Sequence, residues 1–250
     1  MLQSEGCFYK QSILSFFIWV NSVYQKIIIV SGGCSVDPVF FSKQIRQTKN
    51  CLIICCDGGA RHFRNLKIKP DVIIGDMDSI GDVQLANYSA QGIKIIKYSA
   101  NKDFTDTELA LDYALGLKPD KIFICCALGG RIDHTLANVF LLSRAQEKGF
   151  ETFLMDEYCE AFVLNKETAF IKEAGKTVSL LALTPKVTGI TLSGVLYPLE
   201  KGTLKMGESR GISNVIIKNR AGIKIEKGKL LVIKYRQKNI FPEALKNETC

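Results

Sequence analysis

An α/β fold is predicted for residues 26–160, followed by a small all-β sandwich over residues 161–237. Three observations carry this prediction. Apolar, strand-like runs alternate with helical patterns through the first part. Those runs are followed one after another by acids: Asp57, Asp76 with Asp78, Asp103 with Asp106, and Asp133. Past residue 160 helical spacing stops, and short alternating runs separated by Gly and Pro take over.

The first strand is Lys26–Ser31, a β-branched run ending at Gly32-Gly33. A short helix is expected near Phe40–Gln47. The strand Cys51–Cys56 follows, then Asp57-Gly58-Gly59 and a weak helix at Ala60–Leu66. Val72–Ile74 is the next strand, Asp82–Gln91 a helix, and Ile93–Lys97 a strand. Thr105 and Glu108 have the spacing of a capping box, so a helix should open there and run to about Leu115. Strand Lys121–Ala127 leads to a helix at Asp133–Lys148, stopped by Gly149, and then to strand Phe150–Met155. Repeated βα units of this kind build a parallel, Rossmann-like sheet with helices on both faces.

The pattern changes near Tyr158–Asn165. Strands are then expected at Ala169–Lys172, Thr177–Ala182, Val187–Leu192, Leu204–Met206, Ser213–Asn219, Gly222–Glu226 and Leu230–Tyr235. Residues 238–250 read as a tail.

Composition narrows the class. Of 250 residues, 47% are hydrophobic and 23% charged, which fits a globular chain with a real core. The formal net charge is +8. Its basic residues near the C-terminus alternate with apolar ones, as in Ile223-Lys224-Ile225-Glu226-Lys227, which is the solvent face of strands rather than a nucleic-acid stripe. Nine cysteines without a C-x-x-C read as reduced thiols of a cytoplasmic protein. The apolar run Ile13–Val20 is short for a membrane span, and no membrane partner is expected.

Parallel strands end on a common edge, so the strand-end acids should converge there, where open α/β sheets bind ligands. Clustered carboxylates repel unless a cation lies between them. The expected content is therefore a divalent metal with a phosphorylated substrate. In Gly75-Asp76-Met77-Asp78-Ser79 an extended turn lets both acids face one metal, although acidic surface turns are common. Asp103 and Asp106 stand at a helix N-terminus, a site favourable to anions and phosphate. Asp106 serves equally well as part of the cap. Gly129-Gly130-Arg131-Ile132-Asp133-His134 offers close backbone approach and a guanidinium fork, and Asn138 shares a face with His134. Asp133 also fits an N-cap. Lys102 either offsets phosphate charge or is solvated. There is no P-loop G-x-x-x-x-G-K-[ST], and no strand leads into a G-x-G-x-x-G.

Taken in order, Asp57-Gly58-Gly59-Ala60, Gly75-Asp76-Met77-Asp78-Ser79, Lys102–Leu111 and Gly129–His134 resemble the thiamine pyrophosphokinase family. Val187–Thr191, Tyr197-Pro198-Leu199 and Gly211–Asn214 are similar to that family's thiamine-binding β domain. The likeness covers about Lys26 to Tyr235 and leaves residues 1–25 as an atypical extension. Met77 stands where the family often has Phe.

The resemblance implies transfer of the pyrophosphoryl group of ATP to the hydroxyl of thiamine, giving thiamine diphosphate and AMP in a homodimer. By position, Asp76, Asp78 and Asp103 would hold Mg²⁺ and act catalytically, Asp103 or Asp76 lying near the acceptor hydroxyl. Asp57, Lys102, Asp106, Arg131, Asp133, His134 and Asn138 would bind ATP. Tyr197, Ser213 and Asn214 would contact thiamine. The alternatives are a pyrophosphokinase acting on a hydroxymethylpterin, a Mg²⁺-dependent nucleotide hydrolase, and a non-catalytic binding protein.

Overall fold

The computed structural model describes residues 24–46, 50–63, 68–101 and 103–238. The expectations for Lys102, for residues 1–23 and for residues 239–250 lie outside these. Among the described residues no helix is long and apolar enough to cross a membrane.

Six parallel strands form the first half: β1 (Lys26–Val30), β2 (Cys51–Cys56), β3 (Val72–Gly75), β4 (Lys94–Lys97), β5 (Lys121–Cys125) and β6 (Glu151–Met155). Their spatial order is β6-β5-β1-β2-β3-β4. β1 is buried along its whole length, with Ile27 and Ile29 on one face and Ile28 and Val30 on the other. A strand covered on both faces reads as a continuous apolar run, which is why it was visible in the sequence. The edge strand β4 carries exposed lysines at both ends, a charge pattern that discourages further pairing.

Helices cover the two faces. α1 (Pro38–Arg46), the 3₁₀ segment Asp57–Phe63 and α2 (Asp82–Ala90) lie on one side. α3 (Asp106–Gly116) and α4 (Ile132–Glu147) lie on the other. The weak helix expected at Ala60–Leu66 is thus a tighter 3₁₀ turn that begins earlier, at Asp57 itself. Thr105 caps α3, its hydroxyl accepting from the Glu108 amide at 3.2 Å. The reciprocal half of the expected capping box is diverted: the Glu108 carboxylate pairs with Arg144 of α4, and Arg144 also forks onto Asp112 at 2.7 and 2.8 Å. One half-buried guanidinium therefore ties α3 to α4. Arg144→Met should lower stability by about 1–3 kcal/mol, read as a drop in urea midpoint with unchanged slope.

The sequence boundary at residue 160 falls inside a strand. β7 (Cys159–Leu164) turns back on β6 and pairs antiparallel with it, the turn being held by Asp156 Oδ1 accepting from the amides of Tyr158 and Cys159. The same sheet then continues through β14 (Leu230–Lys238), β9 (Lys176–Ala182) and β12 (Asn214–Val215), making ten strands among the described residues. A second sheet of four strands packs on its antiparallel end, ordered β11 (Leu199–Lys205), β10 (Lys186–Ser193), β13 (Arg220–Lys224) and β8 (Glu167–Ile171). The core between them holds Leu180, Val187, Ile190, Ile223 and Val232. The sandwich is therefore built from one private sheet and half of a shared one. The strand expected at Ser213–Asn219 is reduced to Asn214–Val215: Ser213 adopts φ 60° and cannot begin the ladder, and Ile216 turns away to form an isolated bridge with Val195.

Candidate functional site

In the strand order, β1 sits between β2 and β5, so the chain leaves β1 in both directions. That is the topological switch point, and the crevice beyond the strand ends there is where such sheets take ligands. A cavity of about 670 Å³ opens at this place. It is bounded by the Ser31–Cys34 loop, the start of α3, and the Gly129–Arg131 loop with the start of α4.

Asp57, Asp76 and Asp106 bring one carboxylate oxygen each to within 4.8 Å of one another. Each arrives for a local reason. Asp57 is the first residue after β2, and Asp76 the first after β3. Asp106 opens α3, and because Thr105 supplies the cap, Asp106 is released to face the sheet edge. Gly75 makes this convergence possible. A Cβ there would lie 2.6 Å from Asp57 Cβ and 2.9 Å from Asp106 Oδ2.

Met77 adopts φ 70° and is buried in the core beside α2, while its neighbours Asp76 and Asp78 both line the cavity. This inverted residue is how the turn aims two carboxylates one way, and such strain is typical of functional sites.

Asp57 is 1% exposed, and its Oδ1 has no hydrogen-bond partner, whereas Oδ2 accepts from the Ser79 amide at 2.9 Å. Burial pushes its carboxyl up to about 6; the Ser79 amide opposes this, and the nearby Asp78 and Asp106 carboxylates add to it. A buried oxygen with no donor, facing two other carboxylates, is the donor set a small divalent cation requires. The residues therefore fit Mg²⁺, with Asp57, Asp76 and Asp106 as the set nearest to a common centre.

That set differs from the expected Asp76, Asp78 and Asp103. Asp78 lines the same cavity and bonds to Ser79 Oγ at 3.0 Å, outside the tight trio. Asp103 is exposed in the turn before the cap and is absent from the cavity lining. Three residues earlier in the chain, it precedes the helix that aims Asp106.

The glycine loop after β5 behaves as its motif suggests at one end. Arg131 and His134 line the cavity. Asp133 does not; it receives both Nε and an Nη of Arg131 and the His134 amide, which hold its carboxyl down at about 2. Nor is Asp133 the N-cap, a place taken by Arg131. Asn138 is buried, and its amide donates to the Ala127 carbonyl at 2.9 Å, pinning α4 to the end of β5.

Two features escaped the sequence reading. Ser31 and Thr107, both buried, share a 2.6 Å hydroxyl–hydroxyl bond that joins the end of β1 to the first turn of α3. Arg61 donates from one Nη to the carbonyls of Gly32 and Gly33 at 2.5 and 2.7 Å. Its position directly after Asp57-Gly58-Gly59-Ala60 was the only signal available for it.

Tyr197, Ser213 and Asn214 lie in the antiparallel half and do not line this cavity. Tyr197 is 59% exposed, and the buried Asn214 clamps its backbone. Asn214 Oδ1 accepts from the Tyr197 and Val215 amides, and Nδ2 donates to the Tyr197 carbonyl at 2.8 Å. The Ser213 amide donates to Ser179 Oγ at 3.0 Å.

Comparison with known proteins agrees with this geometry. Residues 45–154 match the model of the thiamin pyrophosphokinase catalytic domain, and residues 164–230 that of the thiamin pyrophosphokinase vitamin B1 binding domain. The thiamine pyrophosphokinase of Bacillus subtilis (strain 168) is 30% identical over 188 residues, covering 74% of this chain and 88% of that protein. Thiamine pyrophosphokinase 2 of Arabidopsis thaliana is 29% identical over 192 residues, covering 66% and 71%. The crystal structure of the Bacillus subtilis enzyme superposes with a TM-score of 0.75 over 84% of this chain and 98% of that one. With both domain models matched in order, and the acids gathered at the sheet edge of the first, the chain belongs to the thiamin pyrophosphokinase family.

Proposed function

We propose that this protein transfers the pyrophosphoryl group of ATP to the hydroxyl of thiamine, releasing AMP. The observation that carries the reading is the convergence of Asp57, Asp76 and Asp106 at the sheet's switch point, in a chain that also carries the family's vitamin B1 binding domain. Thiamine's hydroxyl oxygen forms a bond to the β-phosphorus of ATP. The bond from that phosphorus to the α–β bridging oxygen breaks, and AMP leaves.

Such transfers depend mainly on positioning and charge neutralisation. Mg²⁺ held by Asp57, Asp76 and Asp106, with Asp78 beside them, would neutralise the polyphosphate. The α3 N-terminus and the Arg131 guanidinium face the same space and favour anionic oxygens. Asp133 holds the Arg131 fork in one orientation, and Asn138 fixes the helix on which His134 stands. Asp103, exposed in the turn that leads into α3, is the remaining acid of this reading.

Tyr197, Ser213 and Asn214 provide the thiamine side, the exposed Tyr197 ring suiting the cationic thiazolium. Because these residues do not line the acid cavity, we assign the complete site to a homodimer in which one subunit's sandwich faces the other's acids.

AMP release from ATP and Mg²⁺, with and without thiamine, tests the reaction. AMP and thiamine diphosphate should form together and only when thiamine is present. AMP formed without thiamine would replace the reading with a hydrolase.

A further inference from the structure

The opposite edge of the sheet, where the parallel strands begin, carries a cavity of different character. It has a volume of about 390 Å³ and opens between the first residues of β5 and β6 and the outer strand of the second sheet, β8. It shares no lining residue with the acid crevice and includes none of Tyr197, Ser213 and Asn214. Phe150, Phe153, Phe162 and Phe170 supply its aromatic walls.

Two of these rings already hold a cation. Lys121 Nζ lies 5.9 Å from the centre of the Phe153 ring, and Lys234 Nζ 5.3 Å from that of Phe170. The face of an aromatic ring is negative, so positive groups are drawn to it. Both lysines are matched by carboxylates as well. Lys121 meets Glu151 at 3.0 Å, and Lys234 meets Glu160 at 2.9 Å and Glu173 at 3.0 Å. No lining cation is therefore left over for an anionic guest.

Other lining groups are uncommitted. Among the described residues the Phe150 and Phe162 rings carry no cation. Glu167, exposed at the rim on β8, makes no ion pair. Thr152 is 5% exposed, and its Oγ1 has no hydrogen-bond partner. A buried hydroxyl without a partner costs stability, and a ligand group that pairs with it recovers that cost. The chain as a whole has a net charge of +8, yet the groups free to act here are a carboxylate, a hydroxyl and the faces of rings. Apolar cavities with a few polar groups of this kind are the usual hosts of small ligands.

We propose that this cavity is a binding site for a small planar aromatic cation. The ring of the guest lies among the phenylalanines, its charge is met by Glu167, and its polar edge pairs with Thr152 Oγ1. The site is separate from the proposed reaction centre and does not depend on it.

Benzamidine, benzamide and benzoate test this, because they share one shape and are cationic, neutral and anionic at neutral pH. Each is titrated into the full chain by ligand-observed NMR, without nucleotide, thiamine or metal, for wild type, Glu167→Gln, Thr152→Val and Tyr197→Ala. Benzamidine should bind at least about tenfold more tightly than benzoate, with benzamide between them. Glu167→Gln should raise the benzamidine Kd at least about fivefold and leave benzamide within about twofold. Thr152→Val should weaken both benzamidine and benzamide by about threefold or more, without lowering the melting temperature of the ligand-free protein, since no native hydrogen bond is lost. Glu167 is exposed, so its variant keeps the comparison available if Thr152→Val fails to fold. Benzoate binding as tightly as benzamidine, no binding of benzamidine to wild type, or a benzamidine Kd unchanged in folded Glu167→Gln overturns the proposal. A benzamidine affinity lost in Tyr197→Ala but kept in Glu167→Gln overturns it too, by moving the cation to the sandwich loop.

Discussion

An Asp57→Asn protein should lose turnover by about a hundredfold or more and yet unfold at a higher temperature than wild type when no divalent cation is present. Both effects come from one oxygen. Asp57 Oδ1 is buried without a donor and faces Asp76 and Asp106. Without a cation this arrangement is repulsive; with one it becomes the site. An amide keeps the acceptor for the Ser79 amide and removes the charge.

The pH dependence has a definite sign. The folded-state pKa of about 6 lies above the 3.8 of an ordinary aspartate, so the folded state binds more protons between these values. The Asp57 contribution to metal-free stability should therefore be greatest below about pH 4, fall as pH rises to about 6, and remain lower above, by on the order of 3 kcal/mol. Asp57→Asn should lack this decline. Adding Mg²⁺ should raise the wild-type melting temperature at pH 7 and leave the variant nearly unmoved. Thermal melts at pH 4.5 and 7, with and without Mg²⁺, read all of this. A variant that keeps the full Mg²⁺ response removes Asp57 from the metal site.

The second large effect is expected at the other end of the molecule. Asn214→Leu should raise the thiamine KM by about tenfold, leave the ATP KM unchanged, and cost about 2–4 kcal/mol of stability. Asn214 meets three backbone groups, two of them on Tyr197. Leucine leaves those groups without partners and frees the loop that presents the Tyr197 ring. Asn214→Asp keeps the acceptor and loses the donor, so it should fall between the two. Steady-state kinetics with each substrate varied, alongside urea melts, separates the roles. A stability loss with an unchanged thiamine KM would make the clamp structural only and take Tyr197 out of the acceptor site.

Much of this was legible in the sequence because of burial. Strands such as Ile27–Val30 and Ile122–Cys125 are covered on both faces and appear as apolar runs, and the acids that follow them mark the sheet edge. Thr105 was readable as a cap. What spacing could not decide was which acid the cap would aim inward: Asp106 lies in the helix and Asp103 before it, a difference of direction rather than of distance along the chain. β7 was missed as a continuation of the first sheet because Cys159–Leu164 gives no clean alternation, with Val163 and Leu164 facing opposite cores. Arg61 was missed because its partners are carbonyl groups, which leave no trace in side-chain type.

The shared sheet has a consequence for the order in which the molecule is made. β7 and β9 are not neighbours; β14, the last strand, lies between them and pairs with both. When residues 159–182 have left the ribosome, the strand that joins them is still some fifty residues from emerging. Until then the newborn chain carries an unpaired margin on β7 next to an already formed parallel half. Completion waits for residues 230–238, a long-range closure that is slow by its nature. A ribosome that stalls or terminates shortly before Leu230 would therefore release a chain with its acid site assembled and its sandwich still open.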